Sequence, residues 1–131
     1  MSINNQYITW LDPNARTMKL TVDWTSNGGG VSEAISAANM KELTGKNLAH
    51  FITDPGSPAP DDNYNFTLLD AYGVDVLGGG GLLRDTANSE QGIPALKSGV
   101  YGDRIIDTAL TFTIDTAGSE KQGTAILYFR W

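Results

Sequence analysis

The stretch "TMKLTVDW" (Thr17–Trp24) decides the fold class, because its residues alternate strictly between polar and apolar. This period of two is typical of a β-strand with one buried and one solvated face. The run "NGGG" at positions 27–30 then ends the strand. The apolar face of this predicted strand consists of Met18, Leu20, Val22 and Trp24.

The same alternation recurs along the chain in "YNFTLLD" (64–70) and "ALTFTID" (109–115). "KNLAHFITD" (46–54) also reads as a strand, and the apolar "GTAILYFRW" (123–131) as a strand central to its sheet. "VSEAISAANMKELTG" (31–45) is interpreted as a strand that passes into a short helical turn between Ser36 and Leu43. Seven or eight short strands separated by turn signals predict an all-β, single-domain β-sandwich or jelly roll, with at most one short helix.

The length of 131 residues suits one domain with a real hydrophobic core. We expect an N-terminal arm over residues 1–16 and a β-sandwich domain over residues 17–131. An alternative for the arm is that it packs back on its own domain as an edge strand.

The net charge of −6 argues against a direct DNA or RNA surface, since the nine basic residues are scattered along the chain. No apolar run approaches the roughly 20 residues of a membrane helix, so no membrane partner is expected. The N-terminus lacks the features of a signal peptide, which predicts an intracellular start. The chain contains no cysteine and therefore no thiol chemistry.

The segment between Asp54 and Gly81 is rich in Asp, Gly and Pro, which raises three interpretations: a metal loop, a phosphate loop or plain turns. Three prolines make its first part a stiff connection between strands. Asp70 and Gly73 are the key residues of a predicted hairpin with a type I turn and a glycine bulge. "GGGGLLRD" lacks the Lys and Ser/Thr of a Walker loop, which argues against nucleotide binding.

The carboxylates of this segment are candidate ligands for an irregular calcium site, although they lack the spacing of an EF-hand. The structural interpretation is preferred, so no metal or cofactor is expected. These candidates are Asp61, Asp62, Asp70 and Asp75.

Catalytic signals are sparse. His50 is the single histidine and lies in the apolar run "LAHFI", where a packed residue is commoner than a general base. No serine sits in a G-x-S-x-G motif. The tryptophans Trp10, Trp24 and Trp131 could stack a sugar, but core or interface packing is the commoner role. The sequence therefore predicts a protein that is not an enzyme.

Three motifs resemble a pattern in small virion structural proteins of tailed bacteriophages and prophages. They are the "DPG…AP…DNY" connector (54–64), the "TL.D..GVDVLGG" hairpin (67–79) and the "KQG…LY" strand (121–128). The resemblance covers about half of the chain, and its motifs imply fold more than chemistry. The stretches "SEAISAANMKELTGKN" and "SGVYGDRI" depart from the pattern.

This resemblance implies a virion protein that is assembled in the host cytoplasm. A capsid decoration (cement) protein is the leading hypothesis, with the major capsid protein or other virion proteins as partners and a homo-oligomer or symmetric array as the state. A neck or tail component, such as an adaptor or fibre-attachment protein, and a carbohydrate-binding sandwich are the alternatives. The expected contact residues, in the arm and at a loop tip, are Tyr7, Ile8, Trp10, Leu11, Val100 and Tyr101.

Overall fold

The computed structural model describes residues 2–12, 14, 16–96 and 99–131. Within these residues the chain forms short strands and one short helix, in an order that leaves the helix between the third and fourth strands. The elements are β1 (Ser2–Asp12), β2 (Thr17–Thr25), β3 (Val31–Ala34), α1 (Ala37–Leu43), β4 (Asn47–Pro55), β5 (Asn65–Leu69), β6 (Glu90–Gly92), β7 (Arg104–Ile105), β8 (Thr111–Asp115) and β9 (Gln122–Arg130).

The strands form two antiparallel sheets. The larger sheet has six strands in the order β1-β2-β9-β4-β6, and β7 also pairs with β4. The smaller sheet has the order β3-β8-β5. Two antiparallel sheets with a single short helix confirm the predicted all-β sandwich, and β9 lies inside its sheet as its apolar sequence indicates.

The core lies between the two sheets and follows from the alternation along their strands. Met18 and Leu20 on β2 are fully buried, as are Phe66 on β5 and Phe112 on β8. The rings of Phe51 and Phe66 meet edge to face with centroids 6.0 Å apart, which joins the two sheets.

The N-terminal segment, expected as an arm, is the edge strand of the larger sheet. β1 pairs with β2 from Ser2 opposite Thr25 to Asp12 opposite Thr17. Its half-buried Ile8 packs against the core. The predicted boundary between residues 16 and 17 therefore separates two strands of one hairpin, and the edge-strand alternative is the observed structure. Residues 1, 13 and 15 of the predicted arm lie outside the described residues.

Helix α1 falls within the predicted segment 36–43. Ser36 caps it, because its Oγ accepts a hydrogen bond from Asn39 N at 3.2 Å. Its own residues Met40 and Leu43 are buried. Gln6 of β1 ties the helix to the sheet, since its Oε1 accepts hydrogen bonds from Ser36 N (2.8 Å) and Asn39 Nδ2 (3.1 Å).

The turn after β5 contains the predicted residues, but the second arm of the hairpin is not a strand. Gly73 has φ of 77° and donates its N–H to Asp70 O at 3.0 Å. Beyond it, the backbone pairs with β5 through the Leu69–Asp75 bridge and the bond from Val76 N to Leu68 O (2.8 Å), and the Asp75 carboxylate accepts hydrogen bonds from Leu68 N and Gly79 N. The prediction of a full second strand is therefore wrong, because the continuous pairing with β5 ends at Val76.

Candidate functional site: the outer face of the six-stranded sheet

The outer face of the six-stranded sheet presents half-buried side chains from its central strands. Register places His50 of β4 opposite Tyr128 of β9, and Ile52 opposite Ile126. Each of these side chains points away from the core, because its neighbours Phe51 and Leu127 are fully buried. This run of aromatic and aliphatic side chains makes the outer face a candidate binding surface.

The imidazole of His50 stacks on the phenol ring of Tyr128. Their centroids are 4.2 Å apart and the planes differ by 8°. Burial, together with the positive charge of Arg130, holds the pKa of His50 below its usual value of 6.5. His50 is therefore a neutral, packed ring at pH 7. In the described part of the chain, no hydrogen bond or ion pair joins this ring to an acidic side chain.

Arg130 fixes a loop against the end of this face. Its Nε donates to Asp103 Oδ2 at 3.0 Å, and its Nη2 contacts Oδ1 at 3.0 Å and Oδ2 at 2.8 Å. This fork geometry is the favourable one for an arginine–carboxylate pair. It positions the segment that follows Tyr101 beside β9.

The loop and the sheet enclose an open cleft of about 690 Å³, which we call the His50 cleft. Its floor is formed by His50 and Arg130, and its walls by residues 91–93 and 101–103. Ile93 and Tyr101 are both exposed apolar side chains. The cleft thus combines the His50 ring and two exposed apolar side chains with polar groups, among them the paired Asp103 and Arg130.

A second hollow of about 220 Å³ continues this surface toward the edge of the sheet. It is lined by Leu11 and Thr17 and shares His50 and Arg130 with the His50 cleft. The structure therefore brings two predicted contact residues, Leu11 and Tyr101, to opposite ends of one concave face. Tyr7 lies on the same face, opposite Thr21 of β2.

Tyr101 separates the His50 cleft from another open groove of about 580 Å³, here named the glycine groove. The glycine groove is formed by residues 78–80 together with Val74 and Leu96. Tyr101 lines both hollows and is 63% exposed. Its neighbour Val100 is also exposed. An exposed aromatic ring between two concavities can insert into a complementary surface.

The other predicted contact residues lie elsewhere. Ile8 is on the inner side of β1, opposite Leu20, and packs against the core. Trp10 meets Trp131 edge to face with centroids 5.6 Å apart, and Lys46 Nζ lies 4.8 Å from the centre of the Trp131 ring. This pair forms a separate aromatic cluster at the end of the sheet, whereas Trp24 is in the core.

The four calcium candidates each bond to protein groups. Asp61 pairs with Lys121 at 3.8 Å, and Asp62 accepts a hydrogen bond from Thr86 N at 3.4 Å. The buried Asp70 accepts from two turn N–H groups and from Arg104 Nη2 at 3.1 Å, and Asp75 accepts from the loop that follows it. Among the described residues, no three His, Cys, Asp or Glu side chains lie together in a group able to hold a metal ion.

Sequence reasoning missed Tyr128, Asp103 and Arg130 as members of this face. The alternation within β9 placed Tyr128 and Arg130 on the solvent side, which was a usable signal. The pairing of β4 with β9 and the placement of residues 101–103 beside them depend on contacts distant in sequence. The arrangement of these residues on one face could therefore not be predicted from local sequence patterns.

No described helix of the chain has the length and apolar character needed to cross a bilayer. The candidate site is a surface built from one sheet face and one loop. Its side chains are stacked rings, exposed aliphatic groups and a guanidinium paired with a carboxylate, which suit binding to another molecule. Comparison of the chain with protein-family models and with curated proteins finds no match.

Proposed function

We propose that the chain is a structural protein of a tailed-bacteriophage or prophage virion, and that it decorates the head shell by docking on the major capsid protein. The proposal rests on the sequence resemblance and on one observation, the exposure of Tyr101 between the His50 cleft and the glycine groove. Protein interfaces concentrate their binding energy in a few aromatic anchors that are seated among apolar contacts.

The composition of the face supports protein contact over catalysis. The Asp103 carboxylate is already paired with Arg130, and the ring of His50 is covered on one side by Tyr128. Neither group is arranged as an acid–base pair around a reacting atom. Apolar surface around a paired charge instead suits a docking face with a polar rim.

The charge of the chain sets the character of the partner surface. A net charge of −6 favours a neutral or basic partner, and high salt should weaken attachment where exposed charges contribute. Repetition over a symmetric shell allows each contact to be weak, because a subunit that bridges two capsid proteins gains effective concentration from its first contact.

The test compares two tyrosine variants in loading onto particles of the phage or prophage that encodes the chain. Tyr101→Ser removes the proposed anchor, and Tyr72→Ser is the matched control, because Tyr72 is 77% exposed and lines neither hollow. We expect Tyr101→Ser to lose loading at least tenfold, the effect of a hot-spot side chain, while Tyr72→Ser loads normally. Equal loading of both variants would refute this docking face.

Cryo-electron microscopy of loaded particles distinguishes the remaining alternatives. Density on the head shell is expected, whereas density only at the neck or tail would assign the chain to an adaptor or fibre-attachment role. The exposed Trp10–Trp131 cluster makes a glycan screen informative as well. A change of tryptophan fluorescence on glycan binding, without loading on particles, would favour a carbohydrate-binding module.

A further inference from the structure

β1 is an unusually open edge of the six-stranded sheet. It is 11 residues long, and Asp12, at its end, is its only charged side chain. It contains no Pro, Lys or Arg, the residues that commonly protect edge strands from pairing. Its register shifts lie near its ends, between Ile3 and Asn5 and between Trp10 and Asp12, so the middle of the strand is regular.

The other sheet edges are protected. β3 has four residues and places Glu33 opposite the buried Phe112, which turns a charged side chain inward. β5 is covered, since Leu68 N donates to Asp75 Oδ1 and Phe66 N donates to Gly81 O. At the far edge of the larger sheet, β6 and β7 have only three and two residues. β1 has register shifts near both ends, but its regular middle carries no charge or proline, which makes it the exception among the edges of the described sheets.

Hydrogen bonds within the sheet show which backbone groups of β1 face outward. Ser26 N donates to Lys121 O, so the backbone N–H and C=O of Ser26 point toward β9. Because backbone groups alternate in direction along a strand, every second residue before Ser26 in β2 also points its N–H and C=O toward β9. The residues between them, such as Lys19 and Thr21, face β1 and bond its Thr9 and Tyr7. The alternate residues of β1 therefore turn their N–H and C=O groups to the outer edge. These are Gln6, Ile8 and Trp10.

Helix α1 covers only the first of these three positions. Asn39 Nδ2 donates to Gln6 O at 3.4 Å. Among the described residues, no hydrogen bond reaches the outward N–H and C=O of Ile8 or Trp10. The open part of the edge thus runs from Ile8 toward Asp12, where Trp10 and Leu11 are exposed.

We propose that two copies of the chain pair through β1 in antiparallel orientation, with Thr9 on the twofold axis. In this register Thr9 lies opposite Thr9 of the second copy, and Ile8 opposite the second copy's Trp10. Threonine pairs and aromatic–aliphatic pairs are favourable across strands. These pairs lie in the regular part of β1, between Gln6, which α1 covers, and the register shift after Trp10, and no charged side chain lies among them.

Self-complementarity is what favours a second copy over an unrelated extended segment. A twofold interface requires one patch to match itself, and the sequence around Thr9 does so on both faces of the strand. The twofold axis stands perpendicular to the joined sheet, so both His50 clefts lie on the same side of the dimer. The pairing does not depend on the proposed function, although it would let one dimer bridge two partner subunits.

A single introduced cysteine tests the register, because the chain has no cysteine of its own. Facing residues of a non-hydrogen-bonded antiparallel pair have Cα atoms about 4.5 Å apart, within the range that a disulfide spans. We expect Thr9→Cys to form a covalent dimer on mild oxidation. Tyr7→Cys is the matched control, since it lies on the same face but well away from its own copy in this register.

A charge substitution tests the same interface without a covalent bond. Thr9→Glu places two carboxylates face to face across the axis, yet within the chain it lies opposite Lys19, which preserves the fold. We expect it to raise the dimer dissociation constant on the order of tenfold in light scattering across a concentration series. Thr67→Glu on β5 adds the same charge away from β1 and should leave dimerisation unchanged.

Two outcomes would overturn the proposal. One is that the chain is a monomer at every concentration up to millimolar. That result would also be obtained if the β1 edge binds an extended segment of another protein instead of a second copy. The other is equal cross-linking of Thr9→Cys and Tyr7→Cys, which would indicate random collision. Circular dichroism of each variant excludes unfolding as the cause.

Discussion

The indole of Trp24 lies across Gly123, its register partner on the neighbouring strand. A Cβ built on Gly123 would stand 2.5 Å from Cζ2 of that indole, closer than real contacts allow. Phe51 and Gly92 repeat the arrangement on β4 and β6, where the corresponding distance to Phe51 Cζ is 2.5 Å. In both pairs the glycine makes room for an aromatic ring, so the strands can close over the core.

This relationship predicts that Gly123→Ala destabilises the fold. The added methyl group forces the buried Trp24 ring to shift, and overpacking of this kind costs about 2 kcal/mol in the free energy of unfolding. Urea denaturation followed by tryptophan fluorescence measures it. Gly102→Ala is the control, because a Cβ there meets nothing within 4 Å. Equal stability of the two variants would contradict the tight Trp24 contact.

Gly73→Val tests the turn after β5. Gly73 has φ of 77°, a left-handed conformation that a β-branched residue adopts only with strain, while the space around it is open. The expected loss is therefore strain alone, about 1–2 kcal/mol. Thermal unfolding reports it as a lower Tm, and an unchanged Tm would mean that the turn does not depend on this glycine.

Asp70→Ala tests the carboxylate of the same turn. The Asp70 side chain is 3% exposed, accepts hydrogen bonds from Tyr72 N and Val74 N, and pairs with Arg104. Its removal leaves those donors unpaired and should cost about 3 kcal/mol. Asp62→Ala, an exposed carboxylate on the connector, should change stability by less than about 0.5 kcal/mol.

Chelation is the matched test for the calcium alternative. Because each of the candidate carboxylates bonds to protein groups, EGTA should leave the Tm unchanged. A clear decrease of the Tm in EGTA would restore calcium binding at Asp61, Asp62, Asp70 and Asp75.

The sequence allowed the prediction of those features that depend on neighbouring residues. The alternation of Met18 to Trp24 indicated a strand and its buried face, and Gly73 could be placed in a turn from its local context. β1 was predicted only as the alternative to a free arm, because the polar run "NNQ" at positions 4–6 hides its alternation. The partners of Trp24 and His50 were not predictable either, since Gly123 and Tyr128 lie far away in the chain and meet them only through sheet register.

The lowered pKa of His50 predicts that the free energy of unfolding depends on pH. Burial and Arg130 hold the pKa of His50 below 6.5 in the folded chain, so the unfolded chain binds the proton more readily. The stabilising contribution of the neutral ring is therefore complete above pH 6.5 and is lost as the pH falls through the folded-state pKa. Denaturation at pH 7 and pH 5 measures the loss, which should be smaller in His50→Gln. An identical loss in both proteins would contradict the assignment.

We expect the largest loss of stability from deletion of the residues before Asp12. In the structure, residues 2–11 belong to strand β1, which pairs with β2 and supplies contacts from Ile3 and Ile8 to the core and the two Gln6 bonds to the start of helix α1. Their removal exposes one side of the buried β2 and should cost at least about 3 kcal/mol. Loss of cooperative unfolding in calorimetry is the expected observation, and a truncated domain of normal Tm would return the segment to the role of an independent arm. Because the truncated chain should not remain folded, its failure to load onto particles would say nothing about docking.

The single variant Leu11→Ser tests whether this segment contributes to docking, since Leu11 is exposed on the outer face and its substitution leaves the pairing of β1 with β2 in place.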